Sequence, residues 1–477
     1  MSVYVTVIPP KVAVPSSTFD TAYPSYQATG ILDELRALEY PALDGQGCVY
    51  LDYTAASLYA TSQIETHLAL LRDHVFGNPH STSPTSSLST AHIAKARQHV
   101  LDYFGASPEE WVVIFTANAS QALKLVGESY PFEAGSRYLL TFDNHNSVNG
   151  IREFARTRGA TATYVPVVLP EMRVDEDDLR RELDRVDKAV PHLFAYPAQS
   201  NFSGVQHPFE WIERAQARGW DVLLDAAAFA PTNRLDLSRI TPDFVVLSFY
   251  KMFGYPTGVG CLLARRPVLK KLHRPWFAGG TITVASVQGD KYYLAEGESG
   301  FEDGTPDFLA IPAVDLGLQH LESIGIDTIH ERVRCLTGWL LDNLVALAHP
   351  NGRPLIRLYG PPTTERRGGV VTFNFYGADG RALDHRMVED RATSANLSLR
   401  TGCFCNPGGG EIALGLTGTE LSSCFRQPAH ETHLTLDDFR ACIDGKSTGA
   451  VRVSLGLVSN LADVDSFIRF AKQFVGK

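Results

Sequence analysis

The chain has 477 residues, enough for two or three domains of ordinary size or one large lobed enzyme with a full hydrophobic core. At 44% hydrophobic and 20% charged residues it has the make-up of a globular protein, which excludes a disordered, collagenous or coiled-coil chain. A formal net charge of -10 supplies no basic field for a phosphate backbone, so nucleic acid is not an expected partner.

Apolar runs are core-sized, as in Phe244 to Tyr250, and none reaches the roughly eighteen residues of a bilayer span, so no membrane crossing is expected. The first fifteen residues carry Pro9, Pro10 and Pro15 and lack the basic and apolar regions of a signal peptide. A cytoplasmic location is the expectation. Seven cysteines are too few and too scattered for a disulfide scaffold, and free thiols are expected.

In chain order, short apolar runs predict buried strands at Val112 to Thr116, Arg137 to Phe142, His192 to Tyr196, Asp221 to Asp225, Phe244 to Ser248 and Gly258 to Ala264. Helical patterns fall between them at Ser120 to Ser129, Ser147 to Arg158 and Phe209 to Arg218, the last ended by Gly219. This alternation is that of an α/β sheet. From Pro312 onward, helical patterns over Val314 to Ser323 and Ile329 to Ala348 lead into strands at Gly369 to Tyr376 and Gly449 to Ser454. They predict a smaller α+β lobe that shares a cleft with the first.

Three motifs carry no chemistry. Gly445-Lys446-Ser447 ends like a phosphate-binding loop, but Arg440 stands where its first glycine is needed. His430 and His433 are one residue too close to face one metal from a helix, and Cys403-Phe404-Cys405, even with Cys424, has no second ligand pair at zinc-finger spacing. No metal is expected.

Polar residues recur where predicted strands end, which is where α/β sheets bind ligands. Thr116 to Ser120 ends a strand and opens a helix, so the amides of Ala119 and Ser120 could hold a phosphate, or Asn118 or Ser120 could simply cap the helix. Asp225 ends an apolar strand among alanines, where a carboxylate needs a cationic partner such as a protonated pyridine nitrogen. Lys251 follows 26 residues later at the end of another buried strand, between aromatic residues. A desolvated lysine there is suited to a covalent bond with pyridoxal 5'-phosphate; the alternative is a lysine that snorkels to the surface.

With these residues the chain resembles the class V aminotransferase-fold cysteine desulfurase group, and in particular the N-terminal desulfurase-like part of molybdenum cofactor sulfurases. The segments that carry the resemblance are VYLDYTAA (49–56), FGNPHS (76–81), DNHNSV (143–148), YPAQSNFSG (196–204), SFYKMFG (248–254), FEDGTP (301–306), LRTGCFCNPG (399–408), IDG (443–445) and VRVSLG (451–456). The resemblance implies a fold type I pyridoxal-phosphate enzyme: an N-terminal arm over 1–48, a large domain with a mixed, mostly parallel sheet over 49–311, and a small α+β domain over 312–477 that carries the Cys405 loop. It implies that Lys251 bonds the cofactor, Asp225 pairs with its ring nitrogen, His145 stacks on the ring and Asn201 meets the ring hydroxyl and substrate. Ala119, Ser120 and Ser248 would hold the phosphate, joined by Thr305 from the second subunit of a homodimer with shared active sites.

Arg452 matches the arginine that grips a substrate carboxylate, with Arg400 either a second contact or a brace for the cysteine loop. Cys405 matches the persulfide-forming cysteine, with Cys403 two residues away and glycines 402, 408, 409 and 410 expected to make their loop mobile. The implied activity is transfer of sulfur from L-cysteine, or an analogue, through Cys405 to an acceptor protein, with release of alanine. Alternatives are another reaction on the same scaffold, such as a C–S lyase, an aminotransferase-like step or an epimerase, or a non-catalytic sulfur-relay protein. The chain departs from the desulfurase pattern at Ala228, where a ring-oxygen glutamine is usual, and at Tyr250, where a histidine is common. It lacks the further cysteine that follows Asn-Pro-Gly in the sulfurases, which also continue beyond the position of Lys477 into a cofactor-binding domain.

Overall fold

The computed structural model describes residues 18–426, 434–435, 438–439, 442 and 447–477. The His430 to His433 stretch, Arg440, the Gly445-Lys446 pair, the 443–445 segment and the first 17 residues of the arm lie outside the described residues.

The larger sheet has seven strands: β1 Trp111–Thr116, β2 Arg137–Thr141, β3 Thr161–Val165, β4 His192–Pro197, β5 Trp220–Asp225, β6 Phe244–Ser248 and β7 Gly260–Arg265. Their order is β1-β7-β6-β5-β4-β2-β3, and only β7 runs against the rest. Apolar side chains on both faces of β4, β5 and β6 are covered, which is why these strands read as continuous apolar runs. β7 passes so close to the turn after β1 that a Cβ on Gly260 would lie 2.6 Å from the Leu247 carbonyl oxygen and 2.7 Å from the Asn118 Cα. Glycine is the residue that permits this approach.

The predicted strands are all present within two residues at either end. The predicted helix from Ser147 is divided at Gly150 into Asn146–Asn149 and Ile151–Thr157. β3 and the long helix Pro84–Tyr103, whose apolar positions are diluted by Ser, Thr and His, are further elements that no strand or helix pattern above predicts. The two later helices run Pro312–Ile324 and Ile326–Val345, separated by Gly325 at φ +85°. They precede a four-stranded antiparallel sheet of β8 Ile356–Tyr359, β9 Val370–Phe375, β10 Arg400–Gly402 and β11 Ala450–Ser454, in the order β8-β9-β11-β10. Val49–Tyr50 pairs in parallel with Leu397–Ser398, and Asp52 bridges to Ser454 beside it, so the chain entering the first lobe is stitched to the second sheet.

Expectation and structure differ at the cysteines: Cys424 and Cys442 form a disulfide, while Cys48, Cys261, Cys335, Cys403 and Cys405 are free thiols. A separation of 18 positions along the sequence hid a proximity that only the fold creates.

Residues ahead of the first lobe are held by buried arginines. Arg36 donates to Asp463 at 2.5 Å, to Asp44 at 2.6 Å and to the Val458 carbonyl at 2.8 Å. Arg332, fully buried in Ile326–Val345, donates to both oxygens of Asp33 and to Thr29. Removing one member of a buried pair leaves the other charge without compensation. Arg36→Met is therefore expected to lower the urea midpoint by the equivalent of about 3 kcal/mol, while a change within about 0.5 kcal/mol would show that water replaces the pairing.

Candidate active site

The six parallel strands point their C-terminal ends to one edge of the sheet, and the turns that follow bring the polar residues together. Lys251 lies in the short helix Phe249–Phe253 that closes β6, and Gly254 ends that helix at φ +78°, where a Cβ would strike the Leu58 backbone at 2.4 Å. Burial pushes the Lys251 amine below its ordinary pKa, opposed by the charge of Asp225. Among the described residues the amine has neither a hydrogen bond nor an ion pair.

Asp225 ends β5 in a buried position, and its Oδ1 accepts the Ala227 N–H at 3.0 Å. Its Oδ2 has no such partner among the described residues, and Ala226 to Ala228 leave a flat floor beside it. His145 follows β2; its Nδ1 accepts the Ser147 N–H at 3.1 Å, so the ring proton sits on Nε2. Burial also lowers the His145 pKa, with Asp225 opposing and Lys251 and Arg452 adding to the fall.

After β1 the capping alternative is met by Asn118, whose Oδ1 accepts the Gln121 N–H at 3.0 Å. The Ala119 N–H donates to Ser248 Oγ at 2.9 Å, and Ser120 Oγ lies 2.6 Å from Ser147 Oγ. The structure thus gathers Ala119, Ser120 and Ser248 at one helix N-terminus and adds Ser147. Thr305 is not brought there within the chain: it is exposed, and its hydroxyl accepts from the Asn78 amide at 3.3 Å. An unpartnered lysine amine, a buried carboxylate with one free oxygen, and hydroxyls at a helix N-terminus together fit pyridoxal 5'-phosphate.

At Ala228 an amide comes from elsewhere. Gln199, beyond the end of β4, donates Nε2 to the Ala228 carbonyl at 2.9 Å and lines with Ala228 and Lys251 a cavity of about 20 Å³.

A second cluster joins the lobes. Arg452 on β11 is 2% exposed; its Nη1 donates to the Asn201 carbonyl at 3.0 Å and its Nη2 to Asp52 Oδ1 at 3.1 Å, while its buried Nε has no partner among the described residues. Burial lowers its pKa and Asp52 opposes the shift. Arg400, with half its side chain exposed, donates through Nε and Nη2 to Asp52 Oδ2 at 2.9 and 2.6 Å, and this bond raises its pKa.

The Cys405 loop is pinned rather than loose. Cys405 is exposed, its carbonyl accepts the Asn146 N–H at 2.7 Å, and the Phe404 carbonyl accepts from Asn201 Nδ2 at 2.7 Å. Asn406 caps Pro407–Leu414 and donates to the Asp143 carbonyl at 2.6 Å and to Asn201 Oδ1 at 2.9 Å. Asn201 is thus committed to the loop. Phe404 and Cys405 both hold left-handed backbone, at φ +58° and +55°, a costly state that surrounding bonds must maintain. Gly408, Gly409 and Gly410 lie buried in that helix, and a Cβ on Gly408 would be 2.0 Å from the Phe142 carbonyl oxygen. Gly408 and Gly409, where a Cβ would come within 2.0 and 2.8 Å of its neighbours, serve close packing, not the expected mobility.

Asp52, Phe404 and Asn406 escaped the sequence reading. The Asn-Pro pair at 406–407 is a legible helix start; Asp52 has no local signal, because its partners lie some 350 and 400 residues away. The neutral tautomer of His145 yields a prediction: in a pH titration followed by NMR of labelled histidine, its ring signals are expected to titrate below the ordinary 6.5, and a midpoint at or above 6.5 would contradict the burial argument.

The chain matches the family Aminotransferase class-V over residues 49–467. It is 39% identical over 471 residues to the molybdenum cofactor sulfurase of Solanum lycopersicum, and the match covers 92% of this chain but 57% of that protein. Its fold is similar to the apo cysteine desulfurase of Thermococcus onnurineus NA1, with a TM-score of 0.75, 24% identity, and coverage of 93% of this chain and 97% of that one. It is also similar to a cystine C–S lyase solved with its product cysteine persulfide, with a TM-score of 0.68, 18% identity and coverage of 92% and 100%. The fold is therefore common to both chemistries. The chain belongs to the class V aminotransferase family, and its cofactor is pyridoxal 5'-phosphate.

Proposed function

We propose that this chain is a cysteine desulfurase: it takes sulfur from L-cysteine, or a cysteine derivative, as a persulfide on Cys405 and releases alanine. The observation that carries the reading is an exposed cysteine, pinned in left-handed backbone, within electrostatic range of Lys251, Arg400 and Arg452. A thiolate attacking from there faces the guanidinium groups of Arg400 and Arg452 and the Lys251 amine.

The cofactor, when bound, supplies an electron sink for the substrate's Cα. Lys251 attaches it and, once free, moves the Cα proton, a task suited to an amine whose pKa burial has lowered. Asp225 offers its free oxygen to the ring nitrogen, His145 lies against the ring, and Ala119, Ser120 and Ser248 take the phosphate. Arg452 takes the α-carboxylate on its unpartnered Nε, with Arg400 nearer solvent. Asn201 holds both Arg452 and the Phe404 carbonyl, so carboxylate and cysteine loop share one support. The Cys405 thiolate bonds the substrate sulfur as the Cβ–S bond breaks with its electron pair left on carbon, and Cβ takes one proton while Lys251 returns the proton to Cα, giving alanine.

The same reading includes a homodimer in which Thr305 of the partner subunit completes the phosphate site. Exposure of Thr305, and of the aromatic surface at Trp276, Phe277 and Tyr293, supports it. It also includes a sulfur-acceptor protein, a cytoplasmic location, and the division into an arm over 1–48 and lobes over 49–311 and 312–477. No helix among the described residues is long and apolar enough to cross a membrane.

Purified protein should show a visible cofactor band that L-cysteine shifts, with alanine formed. Lys251→Ala is expected to lose all alanine formation. Cys405→Ala is expected to keep the spectral response but lose at least about a hundredfold in alanine turnover. Full turnover in Cys405→Ala would reject the persulfide, and a band unmoved by cysteine would reject the substrate.

A further inference from the structure

We propose that Asp52 is the positioning residue of the carboxylate site: one of its oxygens holds Arg452 and the other holds Arg400, so that Arg452 presents an unpartnered edge to the substrate's α-carboxylate. This rests on the role given to Arg452 above.

The backbone fixes Asp52 where it can do this. The Leu51 N–H donates to the Ser398 carbonyl at 2.8 Å, the Leu51 carbonyl accepts the Ser454 N–H at 2.7 Å, and the Thr54 N–H donates to Ser454 Oγ at 2.9 Å. The segment is thus bound, on both sides of Asp52, to the strand that carries Arg452. The Asp52 side chain is buried, and among the described residues its oxygens bond arginine alone.

Geometry then sets how Arg452 can turn. Its guanidinium lies over the Phe404 ring, 4.7 Å from the centroid, which restricts it to one plane. Within that plane the Asn201 carbonyl takes Nη1 and Asp52 takes Nη2, leaving the buried Nε free. An unpartnered buried donor is costly, and a carboxylate is the group that satisfies it best.

Charge points the same way. Two guanidinium groups against one carboxylate leave a single positive charge in the cluster, which one α-carboxylate neutralises. Without Asp52 the two cations repel, and Arg452 keeps only a neutral carbonyl to orient it.

The test uses holoenzyme and two ligands that differ only in the carboxylate, L-cysteine and cysteamine, with apparent affinity read from the absorption change of the bound cofactor. In Asp52→Asn the affinity for L-cysteine is expected to fall about tenfold and that for cysteamine by less than about twofold, while kcat with L-cysteine falls by less than about threefold. Arg452→Ala is expected to lose the preference for L-cysteine as well. Equal losses for both ligands in Asp52→Asn, or an unchanged preference while Arg452→Ala loses it, would overturn the role of Asp52 and leave the carboxylate reading intact. Retention of the preference in Arg452→Ala would instead remove the reading on which the proposal rests. Should Asp52→Asn fail to fold, Asp52→Glu, which moves the charge by one methylene, is expected to lose the same preference, and an unchanged preference there would also overturn it.

Discussion

Burial of the Lys251 amine is the constraint around which the rest of this structure is arranged. An ammonium taken out of water is unfavourable unless charge answers it or the proton is given up. Here the answering carboxylate, Asp225, sits on the adjacent parallel strand, and its pull only partly offsets burial, so the amine stays below its ordinary pKa. The same carboxylate acts on His145, and the same burial lowers it. Two titratable groups from neighbouring turns, Lys251 and His145, are thereby shifted by burial against one carboxylate.

The second lobe contributes the opposite kind of chemistry. Arg452 and Arg400 are always cationic, and Asp52, from the chain that enters the first lobe, bonds both. The Cys405 loop is fastened to the first lobe as well, through Asn146, Asn201 and the Asp143 carbonyl. Bonds therefore join the segments of the two sheets, and loop geometry depends on the same Asn201 that supports Arg452. Strained backbone at two consecutive residues is tolerated because neighbouring elements fix it from both sides.

What was legible in the sequence follows from what is local. Strands β4 to β6 read cleanly because both faces are buried, and Lys251, Asp225 and Ala119 read as site residues because each ends or follows such a strand. β3, with its half-exposed pattern, and the Ser- and Thr-rich helix Pro84–Tyr103 gave no comparable signal. Asp52 was invisible because its partners lie some 350 and 400 residues away, and the Cys424–Cys442 bond because nothing in the local spacing of two cysteines 18 positions apart marks them as a pair. The glycines after Cys405 were read as hinges because composition does not distinguish a flexible turn from a helix packed too tightly for a Cβ.

The most direct test of the central claim, that sulfur passes to Cys405, is mass spectrometry of the holoenzyme after a single turnover with L-cysteine and alkylation of exposed thiols. One additional sulfur atom placed on Cys405 itself by fragmentation of the peptide it shares with Cys403, and absent when Lys251 is replaced by alanine, is the predicted result. Alanine released with Cys405 unmodified, or the sulfur found on Cys403 instead, would contradict it.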